Sequence, residues 1–200
     1  IYDIYGSKID KEESRKELGI KSKHVMLFFG IIREYKGLDV LLESINILNN
    51  QLDDFHLLIV GECYEDTNKY LSLIKKYKLD HLVTFINDYI PNSEVAKYFS
   101  CSDVTVLPYK TASQSGVMQI AYNFDIPVVT TNVGGLSEYI DDGATGILLE
   151  SNNPLKLSEV LYENFKNNNF GIFSNNIKKY KKKFSWKYFI KGIDEIIAKL

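Results

Sequence analysis

Residues 24–61 read HVMLFFGIIREYKGLDVLLESINILNNQLDDFHLLIVG. His24–Gly30 is a short apolar run closed by glycine, the signature of a buried strand. Phe55–Gly61 (FHLLIVG) is a second such run. Between them Leu38, Leu41, Leu42, Ile45 and Leu48 recur at helical spacing and give Gly37–Asn49 one apolar face. Strand, helix, strand in this order is the βαβ unit. Its connection is right-handed, and its two strands lie parallel.

The alternation continues downstream. Leu82–Ile86, Asp103–Leu107, Pro127–Thr131 and Gly146–Leu149 read as four more strands. Asp66–Tyr77, Pro91–Ser100, Ser115–Phe124 and Leu155–Phe165 read as helices, and Leu136–Ile140 as a short one. Near-continuous apolar strands require cover on both faces. The expected fold is therefore α/β: a doubly wound parallel six-stranded sheet with helices on both faces. Residues 24–168 are taken as this domain. Residues 1–23 are polar, with one helix at Lys11–Leu18, and read as a linker from a missing N-terminal domain. Residues 169–200 read as a C-terminal helical tail, with a lysine-rich helix at Asn175–Lys183. A further apolar stripe runs through Trp186, Phe189, Ile190, Ile193, Ile196 and Ile197. That stripe needs a partner surface. A loose tail or a dimer contact is expected of it.

Composition limits the function. The chain has 200 residues and a formal net charge of -2, so it presents no field to hold a polyanion, and nucleic acid is not an expected partner. No apolar run is long enough to span a bilayer. The chain opens at Ile1, without methionine or leader, and is read as a piece of a longer cytoplasmic protein. Cys63 and Cys101 lack metal-ligand spacing and read as reduced core residues. His24, His56 and His81 read as structural. No metal site is expected.

In open parallel sheets ligands bind beyond the carboxyl ends of the strands. Four strand ends carry candidate residues. After the first, Gly30 leaves room for a ligand, Arg33 and Lys36 put two cations at the mouth, and Gly37 turns the chain into the helix. A guanidinium fork beside a point charge suits a diphosphate, although a solvated charged turn explains the same residues. The pattern is neither a Walker A loop nor a GxGxxG fingerprint. After the fourth, Pro108–Val117 is a polar loop into a helix. Its Ser115, Gly116 and Val117 place free N–H groups and a helix dipole where an anion can sit, with Ser115 also a natural helix cap. Gly61 and Glu62 follow the second strand, and Asp88 and Tyr89 the third. Both pairs can touch a nucleoside, and turn chemistry accounts for each about as well.

Six short motifs occur in order: Gly30…Arg33-xx-Lys36-Gly37, Leu58-Ile59-Val60-Gly61-Glu62, Ser102-Asp103-Val104, Pro127-Val128-Val129, Gly134-Gly135-xx-Glu138 and Asp142-Gly143-xx-Gly146. The series resembles the C-terminal, donor-binding domain of family 4 retaining glycosyltransferases of GT-B architecture. The resemblance is close over about residues 1 to 165. It implies a Rossmann-like half-enzyme that holds a UDP-sugar or GDP-sugar donor and needs no metal or other cofactor. It also implies that an absent N-terminal domain holds the acceptor, including an acceptor lipid at a membrane surface, so that the full-length protein would be peripheral to the inner face of the membrane. Arg33 and Lys36 would hold the diphosphate as it leaves. The family commonly carries two glutamates eight positions apart here. They fall at Ala112 and Ile120, and Gln114 and Gln119 stand near enough to replace them. That departure leaves a second reading, a nucleotide-sugar-binding module without turnover. A third, another doubly wound protein, is disfavoured. An epimerase would need pocket carboxylates and a histidine, and a receiver would need an acidic cluster where residues 24–37 are basic. The isolated fragment is expected to be inactive, since half of the cleft is missing.

Overall fold

The structure, a computed structural model, describes residues 3–197. Six strands form one sheet: β1 His24–Phe29, β2 Phe55–Val60, β3 Val83–Ile86, β4 Val104–Leu107, β5 Val128–Thr131 and β6 Gly146–Leu149. Their spatial order is β3-β2-β1-β4-β5-β6, and every pairing is parallel. The chain runs outward from β1 to β3, then returns to lay β4 against the other side of β1. The order of winding reverses there, and connections on either side of β1 and β4 splay apart to leave a crevice at their carboxyl ends.

Helices cover both faces, as the apolar strands require. On one face α2 (Leu38–Leu48), α3 (Thr67–Lys76) and α6 (Pro154–Lys166) bury Leu41, Ile45, Tyr70 and Leu161 against Met26, Phe28, Leu57 and Ile59. On the other, α4 (Asn92–Cys101) and α5 (Gly116–Asn123) bury Phe99, Met118 and Ala121 against Val25, Leu27, Leu58 and Val60. Side chains alternate across each strand, so consecutive residues of β1 supply both cores. Helix starts follow their local chemistry. Asp66 accepts from the Asn68 N–H, and Asn153 accepts from the Lys156 N–H with Pro154 behind it.

The two ends are more integrated than a linker and a tail. Helix α1 (Lys11–Glu17) packs on α4, and Ser14, Arg15 and Ile20 are buried. Polar bonds hold it there. Arg15 donates to the Cys101 carbonyl at 3.0 Å and pairs with Asp103 at 2.8 Å. Asp103 also takes Lys11 at 2.6 Å and the Val25 N–H at 2.7 Å. A carboxylate with three such partners locks the amino ends of β1 and β4 to α1. At the other end α7 (Asn169–Tyr180) starts six residues before the helix expected at Asn175. Its Phe170 and Phe173 enter one core and Ile177 the other, so it closes the sheet across an end. Helix α8 (Trp186–Ile197) is different: Tyr188, Phe189, Ile190, Ile193, Ile196 and Ile197 are all exposed. The Trp186 side chain, expected on this stripe, lies outside the described residues.

Two of the three histidines make structural contacts. The His24 ring packs on Phe165 at 4.6 Å, His56 shares a hydrogen bond with Thr84 at 2.8 Å, and His81 is exposed. Cys101 is buried, and burial pushes its thiol up to about 11. Cys63 is half-buried in the loop after β2 and packs against the edge of the core on the α2 face.

Candidate functional site

The crevice between β1 and β4 collects the residues that matter. The loop after β1 ends in a 3-10 turn, Glu34–Lys36, and Gly37 then adopts φ 70° to enter α2. A Cβ at Gly37 would stand 2.0 Å from the Pro108 carbonyl oxygen, so only glycine lets this loop close on the end of β4. Lys110 fastens the two sides. Its N–H donates to the Tyr35 carbonyl at 2.7 Å, and its ammonium pairs with Asp39 at 2.7 Å. The loop after β4 is braced from behind. Thr130 donates to the Leu107 carbonyl at 2.7 Å, Thr131 to the Tyr109 carbonyl, and the Gly135 N–H to the Ser113 carbonyl at 3.1 Å.

Lys36 is the centre of the arrangement. Only 8% of its surface is exposed, yet no ion pair or hydrogen bond of the described residues engages its ammonium. The Nζ lies 5.8 Å from the centroid of the buried Tyr109 ring. Burial, and after it the neighbouring Arg33 charge, pushes its pKa down to about 8. Gly30 has φ 95°. A Cβ there would meet Lys36 Nζ at 3.5 Å and Val117 Cγ2 at 3.3 Å. Removing the side chain at position 30 therefore opens the space between a buried cation and the first turn of α5.

That first turn is free to bind. Ser115 is buried at the N-cap position of α5 but makes no capping bond there. Its hydroxyl lies 3.3 Å from the Tyr109 hydroxyl. Of the two readings of Ser115, ligand seat and helix cap, the cap bond is not made. The serine turns to the tyrosine, and the N–H groups at Gly116 and Val117 keep their donors. Burial pushes the Tyr109 hydroxyl up to about 12, so it stays neutral. Gly116 and Gln114 are exposed on the loop side, and Val117 packs toward Gly30.

The remaining expected residues fall into two groups. Gly61 and Glu62 lie beside Gly30: the Glu62 carbonyl accepts the Ile32 N–H at 2.7 Å, and the half-buried Glu62 side chain stands at the sheet edge. Asp88 and Tyr89 are exposed on the loop after β3, where the Asp88 carboxylate accepts the Tyr89 N–H at 2.8 Å. Arg33 is exposed at the outer lip, its guanidinium 5.4 Å over the Tyr64 ring. Gln119 is not brought to the crevice. Two residues beyond Val117 it points to the opposite side of α5. There it lines a cavity of about 280 Å³ with Met118, Tyr122, Tyr139, Lys181 and Phe184. A second cavity, about 170 Å³, lies at the amino end of the sheet beside His24, Asp103 and Lys8. Ala112 is half-buried and Ile120 buried in the α5-side core, and α5 carries no acidic residue.

Sequence reasoning passed over Tyr64 and Asn152. Asn152, after β6, has both side-chain polar atoms buried without a hydrogen bond, and its Nδ2 lies 3.3 Å from where a Gly37 Cβ would stand. An Asn in an Asn-rich stretch carries no signal of that. The Tyr64 contact depends on the pairing of two loops.

The comparisons with known proteins bear on the family and the fold. Residues 10–184 match the family model described as glycosyl transferases group 1. An uncharacterized glycosyltransferase of Methanocaldococcus jannaschii is 29% identical over 175 residues, covering 87% of this chain and 48% of that protein. The chain spans about half, or less, of the length of the curated relatives it matches. Among solved structures, the C-terminal domain of a glycosyl transferase group 1 family protein from Francisella tularensis superposes with a TM-score of 0.81 at 18% identity, covering 91% of this chain and 96% of that one. An Anabaena protein solved in complex with UDP and glucose also gives 0.81, at 17% identity, with 100% of this chain and 55% of that one covered. A six-stranded parallel sheet, matched by the family model over most of the chain's length, places this chain among the group 1 glycosyl transferases, in the C-terminal domain of the GT-B fold.

Proposed function

We propose that the chain is the donor-binding half of a hexosyltransferase, and that it seats the diphosphate of a UDP-sugar or GDP-sugar in the β1–β4 crevice. The observation that carries this is Lys36: a lysine only 8% exposed, whose ammonium has no ion pair among the described residues and faces a space bounded by Gly30 and the uncapped start of α5. Burying an unpaired cation is costly unless a ligand supplies the anion. The Anabaena neighbour, solved with UDP and glucose, makes UDP the first ligand to try.

In the transfer, the bond between the sugar's anomeric carbon and the diphosphate oxygen breaks, and its electron pair stays on the diphosphate. Lys36, Arg33 and the N–H groups of Gly116 and Val117 stabilise that growing charge more than they stabilise the intact donor. The acceptor hydroxyl attacks from the side the diphosphate leaves, keeping the anomeric configuration, and its proton passes to a departing phosphate oxygen. Two fixed cations of the chain neutralise the leaving group, which supports a metal-independent reaction. The acceptor would sit on an N-terminal domain, as the length of the relatives supports, so this piece alone would bind donor without turning it over. A lipid-borne acceptor and a peripheral cytoplasmic position are part of the same proposal. Among the described residues no helix is long and apolar enough to cross a membrane.

The absent carboxylates at Ala112 and Ile120 keep the binding-module reading in play. Assaying the full-length protein with a panel of sugar nucleotides and a chelator decides between them. Release of nucleoside diphosphate that survives the chelator supports the enzyme. Binding without release under every condition supports the module.

A further inference from the structure

The β1–β2 pairing continues past the ends of the strands. His24 lies opposite Phe55 and Phe29 opposite Val60. The same offset brings Ile32 opposite Cys63 in a parallel bridge, held by the Ile32 N–H on the Glu62 carbonyl (2.7 Å) and the Tyr64 N–H on the Ile32 carbonyl (3.1 Å). Arg33 and Tyr64 are the next pair in that register, and their side chains meet, guanidinium carbon to ring centroid 5.4 Å. Glu34 and Glu65 follow, joined by the Glu34 N–H on the Glu65 carboxylate at 2.9 Å. The loop after β2 thus runs as a splint along the loop that carries the cations.

The Glu34 and Glu65 carboxylates, one on each loop, are both engaged away from Arg33. Glu65 accepts the Glu34 N–H and the Tyr70 hydroxyl, while Glu34 faces Lys69 at 3.7 Å. No ion pair among the described residues includes Arg33. A carboxylate at the place of Tyr64 would orient the guanidinium but cancel its charge. An aromatic face orients the planar cation and leaves its charge and its donor edge to an anion. Tyr64 is 55% exposed, so its ring is not needed for the core. We infer that Tyr64 is a positioning residue for Arg33, holding the guanidinium at the crevice lip for the donor diphosphate. This rests on the proposed role of Arg33 as a diphosphate ligand.

A mutant cycle read by calorimetry tests it, with UDP as the probe and GDP in a parallel series. The chains are wild type, Tyr64→Ala, Tyr64→Phe, Arg33→Ala and the Tyr64→Ala, Arg33→Ala double variant, each with its melting temperature. Tyr64→Ala should weaken binding about two- to fivefold, the size of an exposed cation–π contact. Tyr64→Phe should restore it, and the melting temperatures should agree. In the Arg33→Ala background the Tyr64→Ala change should cost nothing further. Wild-type affinity in Tyr64→Ala overturns the inference. So does an equal loss with and without Arg33, which means that the ring touches the nucleotide itself. Undiminished binding in Arg33→Ala, or no binding of either nucleotide by the wild type, overturns the underlying reading of the site as well, and so separates the two failures.

Discussion

Replacing Lys36 by methionine should make this protein more stable and a worse ligand-binder at once. The thioether fills nearly the same space, so packing is kept while the charge goes. Lys36 is 8% exposed, and its pKa falls from 10.5 to about 8 because burial and the Arg33 charge oppose protonation. That gap corresponds to about 3 kcal/mol of destabilisation while the group is charged. The folded state binds its proton less tightly than the unfolded state does, so the cost is full below about pH 8 and is relieved as pH rises toward the unfolded value near 10.5. The advantage of Lys36→Met should therefore approach about 3 kcal/mol at about pH 7, fall to roughly 1.5 at about pH 9.5, and nearly vanish at about pH 10.5. Urea denaturation of both chains across this range measures it. At roughly 2–4 °C per kcal/mol, the melting temperature near neutrality should rise by several degrees. Diphosphate affinity should fall by a factor on the order of 10². A Lys36→Met chain less stable than wild type at about pH 7, or an advantage that does not shrink with pH, would refute the picture of a strained, uncompensated ammonium.

Further expectations follow from the same crevice. In the wild type, diphosphate affinity should hold steady up to about pH 8 and decline above it as free Lys36 loses its proton; a flat titration through pH 10 would remove Lys36 from the site. Gly37→Ala combines φ 70° with a Cβ placed 2.0 Å from the Pro108 carbonyl oxygen, so thermal melts should show a loss of more than about 2 kcal/mol. Ile120→Glu restores the carboxylate that the family commonly has, but at a buried position among Met118, Ala121 and Phe124; denaturation should show a loss of about 2–4 kcal/mol that lessens toward about pH 5, as the new carboxyl takes a proton. Asp39→Asn, which breaks the Lys110 pair across the crevice, should cost about 1 kcal/mol or less of stability, since both groups are partly exposed, and should loosen diphosphate binding by a similarly small factor.

Most of the fold was legible because its signals are local. Apolar runs closed by Gly30 and Gly61 mark strands, Asp66 marks a helix start, and the six strands lie within a residue of the boundaries read from the sequence. The crevice edge was legible because parallel winding dictates which sheet edge is open, and Gly30, Lys36 and Val117 converge there. Other features depend on long-range pairing. Helix α1 is held to the domain by Arg15 and Asp103, and a polar stretch anchored by charges looks like a linker. Phe170, Phe173 and Ile177 are sparse apolar residues in an Asn- and Lys-rich segment, so composition hid the buried side of α7. Gln119 was placed by distance along the chain, whereas helical phase turns it to the other side of α5. Serine before a helix suits an anion seat and a cap alike; the Ser115 hydroxyl makes no cap bond and turns to the buried Tyr109 hydroxyl, a contact the sequence does not signal.

A crystal structure of this domain with UDP or GDP tests the central claim most directly. The account places the diphosphate in the β1–β4 crevice, with phosphate oxygens within hydrogen-bond distance of Lys36 Nζ and of the Gly116 and Val117 N–H groups. A nucleotide seated instead in the cavity beneath Tyr122 and Phe184, or at the amino end of the sheet beside His24, would contradict it.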